Sequence, residues 1–246
     1  MKSQKGVALL LVLWVLALLS LLLGGLNVMV QGEFRQSEWQ RNKTQALLAA
    51  EAGVNLAVVA LKNPQQGDAS QADDNWQADG TPHRLMFDGI ALTLTVRSER
   101  GLLDLNAADT EALTRLAQAC GESRSAALSL ADAIEQRRSG DSRPLLVVEE
   151  LRALPGVTSQ HFDCLAANTT VWSGLPQPDP AFAPALLRQA LNLPAIAAMG
   201  SQAGQILQLT STATLASGFT QRLKVTLLLD NSLQKGRPYR VLHWQE

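Results

Sequence analysis

Lys5-Gly6-Val7-Ala8-Leu9-Leu10-Leu11-Val12-Leu13-Trp14-Val15-Leu16-Ala17-Leu18-Leu19-Ser20-Leu21-Leu22-Leu23-Gly24-Gly25 is the stretch on which the reading of this chain turns. No charged residue occurs from residue 7 to residue 32. As a helix that run measures about 39 Å, enough to cross a hydrocarbon core of about 30 Å with some tilt. Lys2 and Lys5 precede it and Glu33 is the first charge behind it. By the positive-inside rule this puts the N-terminus in the cytoplasm and the residues after the run outside. A secretory signal would have an apolar core of about 7–15 residues and then an A-x-A-like cleavage site. Here the core is longer, and Leu23-Gly24-Gly25 matches that site poorly. Two readings are left: a plain signal anchor, or a segment cut after Gly6 that keeps the whole helix in the product.

Outward from the run, residues 33–62 contain no Pro and one glycine, Gly53. Leu47, Val54, Val58 and Leu61 recur at helical spacing among alanines, so one helix is expected from about Val7 to Leu61, with Asn63-Pro64 ending it. A polar, acidic loop through Asp68, Asp73 and Asp74 to Asp79-Gly80 follows. Period-two alternation in Ile90 to Val96 predicts a strand, with Leu85-Met86-Phe87 as its hairpin partner across Asp88-Gly89. From Leu102 to about Ala167 the pattern is helical. An Asn or Asp cap near Asn106–Asp109 precedes Leu113 and Leu116, and further helices are expected at Ser125–Arg138, at Val148–Leu154 and around Cys164. Strand character returns at Thr169 to Trp172. A Pro-rich connection (Pro176, Pro178, Pro180, Pro184) then leads to Leu186–Leu191. Ile206–Leu215 and Arg222–Leu229 read as antiparallel strands around Ser217-Gly218-Phe219, and Tyr239–Trp244 as a last strand. The order is that of an α+β head carrying a helical insertion, not a βαβ array.

The 246 residues carry a net charge of −1, so no overall basic field points to nucleic acid or anionic lipid. Cys120 and Cys164 are the two cysteines. In a chain whose bulk lies outside the cytoplasm they suggest one disulfide, closing the two ends of the helical insert. His83, His161 and His243 fall in different elements without metal-ligand spacing, and no nucleophile elbow or phosphate-binding loop is present, so no catalytic residue is assigned. The acidic loop lacks the calcium-loop order of carboxylates.

Within the insert, Asp104-Leu105-Asn106-Ala107-Ala108 and the stretch from Ala133 through Leu154-Pro155-Gly156-Val157-Thr158 resemble helix-hairpin-helix units. In DNA-binding versions the hairpin turn presents backbone N–H groups to phosphate beside basic residues, so a membrane-anchored periplasmic DNA receptor is the rival reading. The balance of charge opposes it. Residues 102–168 hold six arginines against ten carboxylates, and Thr158 stands where a second Gly would let DNA approach. No nucleic acid is expected as a partner.

Lys5-Gly6 directly before Val7-Ala8-Leu9-Leu10 resembles the prepilin signal of type IV pilins and pseudopilins. There a membrane peptidase cuts after Gly and methylates the new N-terminus, which the resemblance places at Val7. Such proteins generally carry Glu at the fifth mature position, and that position is Leu11 here. A carboxylate in lipid is expensive unless paired, and in the family it is taken to meet a neighbouring subunit's N-terminal ammonium. A subunit with Leu11 suits the end of a filament better than its repeat. With the Asn106-containing insert and the terminal Tyr239–Trp244, the whole chain resembles the type II secretion system minor pseudopilin K (general secretion pathway protein K). The resemblance implies a non-enzymatic subunit of the bacterial inner membrane with its C-terminal domain in the periplasm. The expected fold is a pilin-like long helix packed on an antiparallel sheet, with an inserted all-α subdomain. The segments implied are a leader (1–6), the transmembrane half of the helix (7–32), its outer half with the first strands (33–101), the insert (102–168) and the rest of the pilin-like domain (169–246). The subunit would cap the pseudopilus tip and nucleate assembly for export of folded proteins. Its partners would be the minor pseudopilins I and J, the prepilin peptidase, the inner-membrane assembly platform, and the outer-membrane secretin or the exoprotein. Related minor pseudopilins can bind calcium; no calcium ligand is assigned in this chain.

Overall fold

In the computed structural model, residues 5–62, 76–139, 143–196, 202–229 and 238–246 are described. The charge-free run and the alanine-rich stretch behind it form one helix, α1 (Lys5–Lys62), about 87 Å long. Its two halves have opposite surroundings. From Leu9 to Leu21 every side chain is exposed, apolar on all sides, as expected of a helix whose solvent is lipid. In the outer half, Ala46, Ala49, Ala50, Val54, Ala57 and Val58 are buried in one stripe at three- and four-residue steps. By length and composition residues Arg35–Lys62 could also cross a membrane. They carry Arg35, Glu38, Arg41, Lys43 and Glu51, however, and their apolar stripe is committed to a protein core, so of the two halves the charge-free one fits a membrane anchor better.

That core is the space between α1 and a five-stranded antiparallel sheet. The strands are β1 (Asp79–Phe87), β2 (Ile90–Ser98), β5 (Ile206–Thr214), β6 (Thr220–Leu229) and β7 (Tyr239–Gln245), in the spatial order β1-β2-β5-β6-β7. β1 turns into β2 through Asp88 and Gly89, both at positive φ (47° and 74°). Alternation does the rest: Leu92, Leu94 and Val96, then Leu207, Leu209 and Ala213, then Leu223, Val225 and Leu227 all point at α1. Each fully buried Leu among them contributes about 1.5–3 kcal/mol. Gly53 explains itself here. A Cβ at this position would stand 2.8 Å from Leu94 Cδ2 and 2.5 Å from Ser211 Oγ, so glycine lets the helix axis settle close to the sheet. Tyr239 O–H donates to Asn55 Oδ1 at 2.9 Å and ties the edge strand β7 back to α1.

The connection between β2 and β5 holds the insertion. A 3₁₀ turn (Glu99–Gly101) leads to β3 (Leu103–Asp104), then α2 (Thr110–Ala119), α3 (Arg124–Arg138), a 3₁₀ helix (Val148–Ala153), α4 (Ser159–Asn168), β4 (Thr169–Thr170) and α5 (Ala185–Leu191). Helices α2, α3 and α4 have side-chain caps: Asp109 accepts from Ala112 N, Ser123 from Ala126 N and Thr158 from His161 N. Leu103, Leu105, Leu113, Leu116, Leu130, Ile134, Leu151, Phe162 and Leu165 make a second core, separate from the first.

Two local expectations are corrected, and one unassigned stretch gains a structure. Val148–Ala153 is 3₁₀ rather than α, because six residues between an extended Val147 and an extended Leu154 leave no room for α-helical turns to propagate. The strand expected over Thr169–Trp172 shrinks to Thr169–Thr170 and pairs in parallel with Leu103–Asp104, outside the main sheet. Leu186–Leu191 belongs to helix α5, closed by Asn192 in the left-handed region (φ 53°). Leu187 is wholly buried in the insert's core, so the insert's packing continues past residue 168.

The insert meets part of the sheet face that looks away from α1. Gln208, Lys224 and Thr226 alternate with the α1-facing residues, and His243 pairs with Thr226 across β6 and β7, so all four share the outer face. They line a cleft with Glu149, Thr169 and Thr170 of the insert. Gly101 holds one seam of this joint, since a Cβ there would overlap the backbone carbonyl of Phe182. That carbonyl cannot yield easily: Phe182 N donates to Asp179 O at 3.1 Å and Asp179 N to Arg100 O at 2.7 Å. Gly101→Ala is expected to lower stability by about 1–3 kcal/mol, read as a fall in the denaturation midpoint of the detergent-extracted chain. An unchanged midpoint would show that the Phe182 loop moves freely.

Candidate functional site

Among the described residues no three of His, Cys, Asp and Glu cluster, and large apolar side chains lie exposed along α1. Gly6 and Val7 lie in the first turns of α1, while residues 1–4 of the leader lie outside the described residues. Leu11 stands 62% exposed in the all-apolar part of the helix, with no carboxylate in its place. Further along, Leu48, Leu56 and Val59 are exposed on the side of α1 opposite the buried stripe, and Trp39 is exposed with the Lys43 ammonium 5.6 Å from its ring centre. Leu48, Leu56 and Val59 form an exposed apolar strip on this part of α1, apart from Trp39.

The insert is closed at its base by Asp104, which is almost wholly buried. Its carboxylate accepts from Asn106 N (2.8 Å), from Gly174 N (2.7 Å) and from Ser173 Oγ (3.1 Å), so the chain entering the insert is bound to the chain leaving it. Asn106 adds a second tie: its amide donates to Leu145 O (2.8 Å) and accepts from Leu145 N (3.0 Å). The helix-hairpin-helix resemblance drew attention to Asn106, but its partner 39 residues away has no sequence signal. Nor did the role of Asp104, beyond an acidic residue between two leucines.

Cys120, at the C-terminal cap of α2, and Cys164, in α4, form a disulfide with 5.6 Å between their Cα atoms. Glu122 and His161 are in contact across the same seam, and the Arg152 guanidinium lies 4.0 Å above the Phe162 ring. The hairpin after Leu154 turns at Gly156 (φ 85°) and hands over to Thr158, whose hydroxyl already accepts from the α4 amide of His161 (3.3 Å). Arg115, Arg137 and Arg138 are paired with Glu111, Glu150 and Glu135. Arginines already paired with carboxylates offer little to phosphate, and these are three of the insert's six.

The histidines do not converge. His83 stacks on Trp76 at 4.1 Å, His161 meets Glu122, and His243 Nε2 lies 3.4 Å from Glu149 Oε1. Asp68, Asp73 and Asp74 of the acidic loop lie outside the described residues; Asp79 accepts from Thr81 N at 2.8 Å. Among the described residues no three of His, Cys, Asp and Glu gather to hold a metal ion, so no ligand set for calcium is found there.

Among the described residues Glu99 is the one deeply buried carboxyl with a displaced titration. Burial pushes its pKa up, opposed by a hydrogen bond with Thr170, by the Lys224 charge and by Gln208, whose Nε2 is 3.4 Å from Glu99 Oε1; the Asp104 charge adds to the rise. The folded chain therefore holds a proton that the unfolded chain releases, and stability falls as pH rises above the ordinary carboxylate range. Glu99→Gln removes this dependence. The variant is expected to melt higher than the parent at pH 7.5, with the difference closing toward pH 4; a constant difference at both pH values would show that ionisation is not the cause.

No family model and no curated protein sequence matches the chain. In structure it is similar to a chain in the crystal structure of the GspK-GspI-GspJ complex from the type 2 secretion system of enterotoxigenic Escherichia coli. The TM-score is 0.58 at 13% identity, over 85% of this chain and 98% of that one. The shared property is the pseudopilin-like α+β fold: a long N-terminal helix, an antiparallel sheet and an added group of helices.

Proposed function

We propose that this chain is a K-type minor pseudopilin, a non-enzymatic, membrane-anchored subunit that caps the tip of a type II secretion pseudopilus and nucleates its assembly. The observation that carries the reading is the fold shared with a chain of the GspK-GspI-GspJ complex over nearly the whole of that chain. Leu11 supports the tip position, since a subunit without the buried carboxylate lacks what a neighbour's N-terminal ammonium would pair with in the repeat. On this reading the charge-free half of α1 spans the inner membrane, the peptidase cuts between Gly6 and Val7 and methylates Val7, and the sheet and insert stand in the periplasm. Partners of the GspI and GspJ kind dock along the stripe formed by Leu48, Leu56 and Val59. The insert blocks the stacking of a further subunit and is the part that meets the secretin or the exoprotein. The deciding experiment is the N-terminal mass of membrane-extracted protein together with co-extraction of the two partner pseudopilins. Methylated Val7 with both partners bound is expected. Met1 retained and no partner bound would reduce the chain to a plain anchored protein.

A further inference from the structure

The insert and the main sheet meet at a narrow polar cleft on the sheet face away from α1. Glu149 and Thr170 stand on the insert side, Gln208, Lys224 and His243 on the sheet side, and Glu99 lies between them. The His243–Glu149 pair, 3.4 Å apart, spans the cleft and joins β7 to the 3₁₀ helix of the insert. The charged groups facing His243 are Glu149 from the insert, Glu99 from the connecting turn and Lys224 from β6; the rest of the cleft is uncharged.

We propose that this cleft is a pH-responsive hinge, in which protonated His243 holds Glu149 and so holds the insert to the sheet, and loss of that proton loosens it. An imidazole is the side chain that changes charge between about pH 5 and 8. Protonated, His243 offers Glu149 an ion pair; neutral, it offers at most a hydrogen bond. Glu99 acts in the same sense. It is 2% exposed and lies beside the Asp104 charge, so ionising it places an anion in a buried position at the joint, and rising pH weakens the joint there too. Lys224 attracts both carboxylates and moderates the effect without reversing it. The side chains of His243 and Glu149 are 27% and 38% exposed, so solvent screens the pair and the effect is modest. The inference stands on the cleft alone and does not depend on the pseudopilin reading.

The test is amide hydrogen exchange on the detergent-extracted full chain at pH 6 and pH 8, corrected for intrinsic rates, with α1 peptides from 46–58 as internal reference. Peptides of β7 and of residues 143–158 are expected to open roughly five-fold more at pH 8 than at pH 6, while the α1 reference stays constant. His243→Gln is expected to show the pH 8 level of opening at both pH values for the histidine part of the change. Glu149→Gln removes the same pair from the insert side and must do likewise, which keeps the test open should either variant fold poorly. Equal protection of these peptides at pH 6 and pH 8 in the parent overturns the proposal. So does full pH dependence surviving in both variants.

Discussion

Gly6→Phe is expected to leave the first six residues on essentially all of the extracted chain, read as an intact mass that retains Met1 and an unmethylated Val7. The argument begins with the helix. Lys5 already has helical backbone, so the bond between Gly6 and Val7 lies in the opening turn of a 58-residue α1. A peptidase can reach a peptide bond in that turn only by drawing it into an extended shape. Glycine makes this cheap, because it favours the helix less than Ala by about 1 kcal/mol and presents no Cβ to a close-fitting active site. Phenylalanine restores helix preference and adds a ring where the enzyme's backbone must approach. Alanine should lie between the two, processed but slowly. A fully shortened, methylated product from the Phe variant would refute the leader assignment while leaving the fold untouched. The membrane segment, the sheet and the insert all rest on other residues.

Removing the disulfide should have the largest effect on stability. Cys120 and Cys164 are separated by 44 positions, and the chain-entropy estimate for a loop of that size is about 4 kcal/mol. The loss should fall on the insert, because its core around Leu116, Leu130 and Leu165 is separate from the core between α1 and the sheet. For a unit of under 100 residues such a loss lowers the melting point by on the order of 15 °C or more. The Cys120→Ser, Cys164→Ser double variant should therefore show an early transition for the insert and a largely unmoved one for α1 and the sheet. Calorimetry or segment-resolved hydrogen exchange reads the two separately. The parent chain under reducing conditions should melt like the variant. A single transition shifted as a whole would mean that the joint across Glu99 and Gly101 couples the two cores more tightly than their separate packing suggests.

What was legible before any coordinates were in hand divides along a physical line. Residues whose effect is local could be read directly. The charge-free run marked the membrane half of α1, the alanine stripe marked its protein-facing half, and Leu92, Leu94 and Val96 declared a half-buried strand by alternation alone. Asp109 acts within three residues of itself as a cap, and Asp88-Gly89 turns a hairpin between its immediate neighbours. Misreadings came where the partner was distant. The strand signal at Thr169–Thr170 was real, but its mate is Leu103–Asp104, 66 positions earlier in the chain and parallel to it. Leu186–Leu191 is too short to reveal its period, and what makes it helical is Leu187 entering a core built by α2, α3 and α4.

The charge-free apolar run, the long helix, the hairpin of β1 and β2 and the α+β order with its helical insertion were thus determined by the chain's own local chemistry, which depends on spacing and on nearest neighbours. The strand order β1-β2-β5-β6-β7, the closure of the insert by Asp104 onto Ser173 and Gly174, and the cleft that brings Glu99, Glu149, Lys224 and His243 together were decided by tertiary structure. In each, groups tens of residues apart meet only in the packed chain, where α1 lies on one face of the sheet and part of the insert meets the other. No window of sequence contains both sides of such a contact, and burial, which gives Glu99 its character, is a property of the packed whole.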